Sequence, residues 1–270
     1  MTIKEKIQML TTKTRYDFDD LVVLVEILRS EDGCPWDREQ DHHSIRKDLI
    51  EETYEVIEAI DTDDPVLLRE ELGDLLLQVV FHAQIETEEK SFDIQDVAND
   101  ICAKLIHRHP HVFGEVQADT SAQVLANWEV IKSEEKERIT VTDKLRAIPP
   151  MLPALMRAQK VGKKAACFDF ADADEVIMKI KEELDELRFA IQKNDAENMQ
   201  EELGDLLLGV TSLARHLHMD AEEALVRATD KFIERFEAVE QTVLLNQKTM
   251  QDLSSEELNQ IWEQNKHKKT

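Results

Sequence analysis

Glycine and proline are scarce in this chain of 270 residues, six of each, and aromatic side chains make up only 5% of it. With so few turn formers and strand-favouring rings, sandwiches, barrels and loop-rich folds are excluded, and the abundant Leu, Glu, Ala and Lys predict helices almost throughout. The three cysteines, Cys34, Cys102 and Cys167, are too few and too scattered for a disulfide framework or a zinc site. No segment approaches the ~20 apolar residues of a membrane span, and the start, MTIKEKIQML, holds no apolar run of signal-peptide length. The expectation is a soluble, cytoplasmic protein with no membrane partner. Positive charge is also short: 33 Lys+Arg stand against 58 Asp+Glu, a formal charge of -25. That argues against nucleic acid or an anionic surface as a partner, so any work on phosphates would need metal ions or a local basic cluster.

What is present is an acidic signature written twice. Glu51-Glu52-Thr53-Tyr54-Glu55 is followed by Glu70-Glu71-Leu72-Gly73-Asp74, and Glu182-Glu183-Leu184-Asp185-Glu186 by Glu201-Glu202-Leu203-Gly204-Asp205. Residues three apart share a helix face, so Glu183/Glu186 and Glu202/Asp205 form two carboxylate pairs, as do Glu52/Glu55 and Glu71/Asp74. The midpoint of Glu52 and Asp74 is Asp63, and that of Glu183 and Asp205 is Asn194, both in turn-like sequence. If each helix pair folds back as a hairpin about its midpoint, all four carboxylates of a copy converge. Gly73 and Gly204 lower helix propensity by ~1 kcal/mol relative to Ala, which predicts a close approach there.

Converging carboxylates repel unless cations sit among them. No His occupies the third position of any pair, which sets this pattern apart from the Glu-x-x-His motif of di-iron bundles. Oxygen-only ligands favour Mg²⁺, with Mn²⁺ as a substitute, and such ions bridge to phosphates and support in-line displacement at phosphorus. Lys231 and Arg235, four apart, and Lys104 to Arg108 in the first half form the basic clusters suited to phosphate contact. Trp262 and the Phe168-Asp169-Phe170 loop are candidates for stacking a base. His107, His109 and His111 lie outside the carboxylate arrangement and read as structural.

Leu21, Val22, Leu24, Val25 and Leu28 mark a helix that closes before Asp32, and the further helical segments expected are 44–60, 66–88, 94–107, 121–138, 154–166, 173–192, 196–218, 221–245 and 255–266. Pro149, Pro150 and Pro153 mark the linker. The organisation is then a polar lead-in over 1–16, a helical domain over 17–139, a linker over 140–153 and a second helical domain over 154–270. An all-α protein of tandem bundles results.

These motifs, together with Gly33-Cys34-Pro35-Trp36-Asp37, Arg108-His109-Pro110-His111-Val112-Phe113 and Leu152-Pro153-Ala154-Leu155-Met156-Arg157-Ala158-Gln159-Lys160, resemble the two-domain bacterial form of the MazG family of nucleoside triphosphate pyrophosphohydrolases. The resemblance implies tandem MazG-type helical bundles of the all-α NTP pyrophosphatase superfamily, a homodimer, and Mg²⁺-dependent hydrolysis of NTPs and dNTPs of broad base range, ATP among them, to monophosphate and pyrophosphate. It implies that the carboxyl-terminal half is catalytic, with metal on Glu183, Glu186, Glu202 and Asp205, Glu182 beside them, and a second candidate site at Glu52, Glu55, Glu71 and Asp74. Nucleotide contacts then fall on Lys179 through Glu183, Asn198 through Glu201, Asp205, Lys231 through Arg235, and Trp262. Where the family pattern would read Val-Gly-Phe-Asp-Trp, this chain reads Cys167-Phe168-Asp169-Phe170. Two alternatives stay open: a narrow dUTP or dCTP pyrophosphatase, and a helical regulatory protein that binds metal without turnover.

Overall fold

A computed structural model describes residues 1–135 and 140–266. Among them every regular element is a helix, and the chain divides into two compact units, Met1–Lys132 and Ser133–Thr270. The first unit carries α1 (Ile3–Thr12), α2 (Phe18–Arg29), α3 (Pro35–Glu39), α4 (Arg46–Asp61), α5 (Pro65–Glu88), α6 (Ile94–Arg108), α7 (Pro110–Phe113) and most of α8 (Ser121–Glu135). The second carries α9 (Val141–Arg146), α10 (Ala154–Lys164), α11 (Ala173–Lys193), α12 (Ala196–His216), α13 (Ala221–Leu245) and α14 (Ser255–Lys266). The polar lead-in thus contains α1, which packs on α2, and the proline-rich segment contains α9, which packs on α10. The expected extension of α8 to Arg138 lies outside the described residues.

Aspartate starts most of the long helices. Asp17, Asp64, Asp93, Asp172, Asp195 and Asp220 each accept from backbone N–H groups of the first turn, satisfying donors that have no partner inside the helix. Part of the acidic composition therefore serves capping. Each acidic helix pair is a hairpin, α4 on α5 and α11 on α12. The chain reverses at the expected midpoints: Asp63 and Asn194 both have φ of 53°, the left-handed conformation that short polar side chains tolerate.

The core of the first unit is Val25, Ile45, Val80, Phe81, Ala83, Ile85 and Ile94, which joins α2 to the buried face of α5. Arg29 fastens its edge. Its guanidinium donates to Glu88 through Nε and Nη2 at 2.9 Å each, donates to the carbonyls of Asp37 and Gln40 at 2.6 and 3.0 Å, and lies over the Phe81 ring. Arg29 of α2 thereby ties the Asp37 end of the Gly33-to-Asp37 motif to Glu88, the last residue of α5. A Cβ on Gly33 would stand 2.2 Å from the Ile27 carbonyl oxygen, so only glycine fits that turn.

Gly73 and Gly204 behave otherwise. A Cβ on either would meet nothing within 4 Å, so the expected close approach is not made within the chain. The tight contact between α11 and α12 occurs instead at Gly209, where a Cβ would come within 3.0 Å of Ile180 Cγ1.

At the open end of the first hairpin, His42 lies between two residues of α5. Its Nδ1 is 2.7 Å from His82 Nδ1, and its Nε2 is 2.8 Å from Glu86 Oε1. Only one proton can occupy the gap between the two Nδ1 atoms, so one ring must accept and stay neutral there. Burial, and then the neighbouring His42, hold the His82 imidazole below its ordinary value. The unfolded chain therefore binds the proton more readily than the folded one at mildly acidic pH. Stability is full above the ordinary imidazole value of about 6.5 and falls as pH drops through it. Thermal melts between pH 8 and pH 5 should show this decline, and His82→Gln should flatten it; an unchanged slope in that variant would assign the decline to other groups.

Candidate functional site

In the second unit, Asp172 and Asp195 cap α11 and α12, and their hairpin brings the acidic pairs together. Glu183, Glu186 and Glu202 each offer a carboxylate oxygen, and the three atoms lie within 4.8 Å of one another. Glu183 is buried, Glu202 half-buried and Glu186 exposed. Loss of hydration, and then the charges of Glu186 and Glu183, push the Glu202 carboxyl above its usual range. A cation among the three would relieve that repulsion. The donor set is all oxygen, so it fits a hard divalent cation and not a thiolate- or imidazole-seeking metal.

Asp205, the fourth expected ligand, is not part of this tight triple. Its charge still reaches Glu202, and it faces a neighbouring cavity of about 520 Å³ together with Glu183 and Lys179. The apolar wall of that cavity comes from Val161 and Ala165, from Phe168 and Phe170 of the loop after α10, and from Leu208 of α12. A second cavity, about 660 Å³, is lined by Glu182, Asp185, Glu186, Phe189, Asn198 and Glu202. The carboxylates are thus shared between two hollows, one with an apolar wall and one lined by acidic residues, Asn198 and Phe189. Glu201 lines neither.

Lys179 stands one turn before Glu183. Its ammonium reaches Glu183 at 2.8 Å and Glu182 at 2.9 Å, and these two carboxylates hold its pKa above the ordinary lysine value. Neither Lys231 nor Arg235 has an ion-pair partner among the described residues. Trp262 packs against Phe232, centroids 5.2 Å apart, in an aromatic row with Phe236.

The first unit repeats the triple: Glu52, Glu55 and Glu71 also present oxygens within 4.8 Å of one another. Burial first, and then neighbouring carboxylates, raise both Glu52 and Glu71. Its surroundings differ. The carboxylates of the two copies are offset by 131 positions, and at that offset Asp48 stands where Lys179 is and Leu67 where Asn198 is. Arg108, part of the first basic cluster, is buried and lies over the Trp128 ring at 5.8 Å. His109 meets the same ring edge-on at 4.9 Å.

A model described as the MazG nucleotide pyrophosphohydrolase domain matches this chain twice, over residues 40–113 and 171–240, each match covering one acidic hairpin. The chain belongs to that family. It is 44% identical over 251 residues to the nucleoside triphosphate pyrophosphohydrolase/pyrophosphatase MazG of Thermotoga maritima, covering 92% of this chain and 95% of the relative. It is equally identical over 251 residues to the nucleoside triphosphate pyrophosphohydrolase of Escherichia coli K12, covering 91% and 95%. A shorter match, 41% over 152 residues, links it to the nucleoside triphosphate pyrophosphohydrolase of Mycobacterium tuberculosis. The tandem MazG bundles expected from the motifs are present, and among the described residues no helix is long and apolar enough to cross a membrane.

Three residues beside the MazG carboxylates went unread in the sequence. Asp169, Ser212 and Arg215 meet at the cavity wall, yet no local pattern joins the Phe-Asp-Phe loop to the end of α12. The loop's aromatics drew attention; the aspartate between them did not.

Proposed function

We propose that this chain hydrolyses several NTPs and dNTPs to the monophosphate and pyrophosphate, and that Mg²⁺, or Mn²⁺ in its place, is required. The supporting observation is the carboxylate triple Glu183, Glu186 and Glu202 adjoining a cavity that also holds Lys179 and Asp205. These four acidic residues would hold the cation, which supplies charge neutralisation and Lewis acidity toward phosphate oxygens. Lys179 orients Glu182 and Glu183 and keeps a further N–H to offer a phosphate. Lys231 and Arg235 supply positive charge for the remaining phosphates. The cavity volume lies within the usual range for small-molecule sites of ~300–1,000 Å³, and its Phe168 and Phe170 wall presents a face that any base can stack on. Catalysis falls to the second unit because its carboxylates have Lys179 and Asn198 beside them, where the first has Asp48 and Leu67.

The test is to incubate each NTP and dNTP with protein and Mg²⁺ and separate the products. Monophosphate and pyrophosphate are expected from several bases. Orthophosphate would overturn the reaction class, and turnover of dUTP or dCTP alone would narrow the substrate to those.

The working form is a homodimer. Leu203, Leu207 and Val210 of α12 are 48%, 48% and 44% exposed within this chain, and Gly204 faces open space beside them. An apolar stripe carrying a helix-weakening glycine suits the approach of a second copy. Sedimentation should give a dimer at micromolar concentration and Leu207→Glu a monomer; a monomeric wild type would sink this reading.

A further inference from the structure

The loop that walls the apolar side of the cavity has little packing of its own. It is a short turn over Ala166–Phe168, none of whose residues is buried, and Phe168 is 94% exposed. One side chain fastens it. Asp169 receives both terminal nitrogens of Arg215, from the last turn of α12, and the Nε2 of His216 at 3.1 Å. Arg215 is steadied in turn by Ser212 Oγ at 3.2 Å. Gly162 of α10 leaves room for it, since a Cβ there would stand 3.2 Å from Arg215 Nε. Both partners are about one-fifth exposed, and a two-pronged guanidinium–carboxylate pair fixes orientation as well as distance. The Phe170 N–H also donates to Asp169, at 2.9 Å, so the carboxylate sets the backbone between the two aromatic residues.

We infer that Arg215 and Asp169 are positioning residues that hold the Phe168–Phe170 wall where a nucleoside, but not the bare triphosphate, meets it. This rests on the nucleotide-hydrolase reading above. Phe168, Asp169 and Phe170 line the same cavity as Lys179, Glu183 and Asp205, the three residues proposed above to meet phosphates and metal. Breaking the pair frees the loop and removes the base contact, yet leaves Lys179 and the carboxylates held by α11 and α12, which are fixed by their own packing.

The experiment compares equilibrium binding of one nucleoside triphosphate and of inorganic tripolyphosphate, each with Ca²⁺, which is expected to occupy the carboxylates without supporting turnover, to the full-length protein, to Asp169→Asn and to the exchanged pair Asp169→Arg with Arg215→Asp. Asp169→Asn should weaken the nucleoside triphosphate about 5- to 150-fold, the ~1–3 kcal/mol of a lost base stack, with tripolyphosphate changed less than about 2-fold. The exchanged pair should recover part of the loss, because it restores the ion pair but not the acceptor for the Phe170 N–H. Equal weakening of both ligands would show that the pair only supports the fold, and an unchanged nucleotide affinity would show that the loop needs no fastening. Either overturns the inference. Binding needs no turnover, so absence of hydrolysis by the wild type would count against the proposed reaction alone.

Discussion

Glu186→Gln is expected to abolish turnover, whereas Glu55→Gln leaves most of the rate intact. The two glutamates occupy the same place in their repeats, and each belongs to a triple of carboxylate oxygens within 4.8 Å of one another. The substitution keeps the size and removes one anionic ligand, so a cation is held less firmly and its charge is misplaced relative to the phosphates. Loss of a single preorganised electrostatic group commonly lowers kcat by ~10²–10³-fold. Glu186 also lines the larger cavity beside Asn198 and Glu202. Around Glu55 the corresponding neighbours are missing: Asp48 adds negative charge where Lys179 would bind Glu183, and Leu67 offers no polar atom where Asn198 does. The measurement is kcat and KM for both variants at saturating Mg²⁺, with circular dichroism to show that each is folded. Equal losses would make the first unit a second catalytic centre.

Much of this was legible because the repeat encodes geometry. Carboxylates equidistant from Asp63 and Asn194 converge when the chain reverses at those residues, and both do reverse in the left-handed conformation. Helix spacing alone therefore gave the triple. It did not show that Asp205 falls outside the tight triple, because spacing gives the shared helix face and not where each side chain ends. Gly204 shows a related limit. A glycine inside a helix signals a missing side chain, and only the packed structure tells that the space beside it is open. The Asp169–Arg215 pair joins the loop before α11 to the last turn of α12, 46 positions apart, with no periodic pattern to announce it. Ion pairs between elements become visible only once the elements are placed.

Removing divalent cations is expected to stop the reaction, Mg²⁺ or Mn²⁺ to restore it, and Ca²⁺ to restore little. The reason lies in the donor set. Three carboxylates on two helices, with Glu183 buried, form a cluster whose reach is limited by the hairpin. Mg²⁺ takes oxygen ligands at ~2.0–2.1 Å in near-octahedral geometry and keeps several waters, whereas Ca²⁺ takes six to eight oxygens at ~2.3–2.6 Å with loose angles. Both neutralise the cluster, so both should raise the thermal midpoint above that of the chelated protein; at 100 times the dissociation constant the linkage amounts to ~2.7 kcal/mol. Only the smaller ion should fix phosphate and water tightly enough for in-line displacement. Melting and turnover are therefore expected to part company: Ca²⁺ stabilises without supporting catalysis. Comparable rates with Ca²⁺ would mean that the carboxylates gather charge without setting geometry, and a midpoint indifferent to all three ions would remove the cation from this cluster altogether.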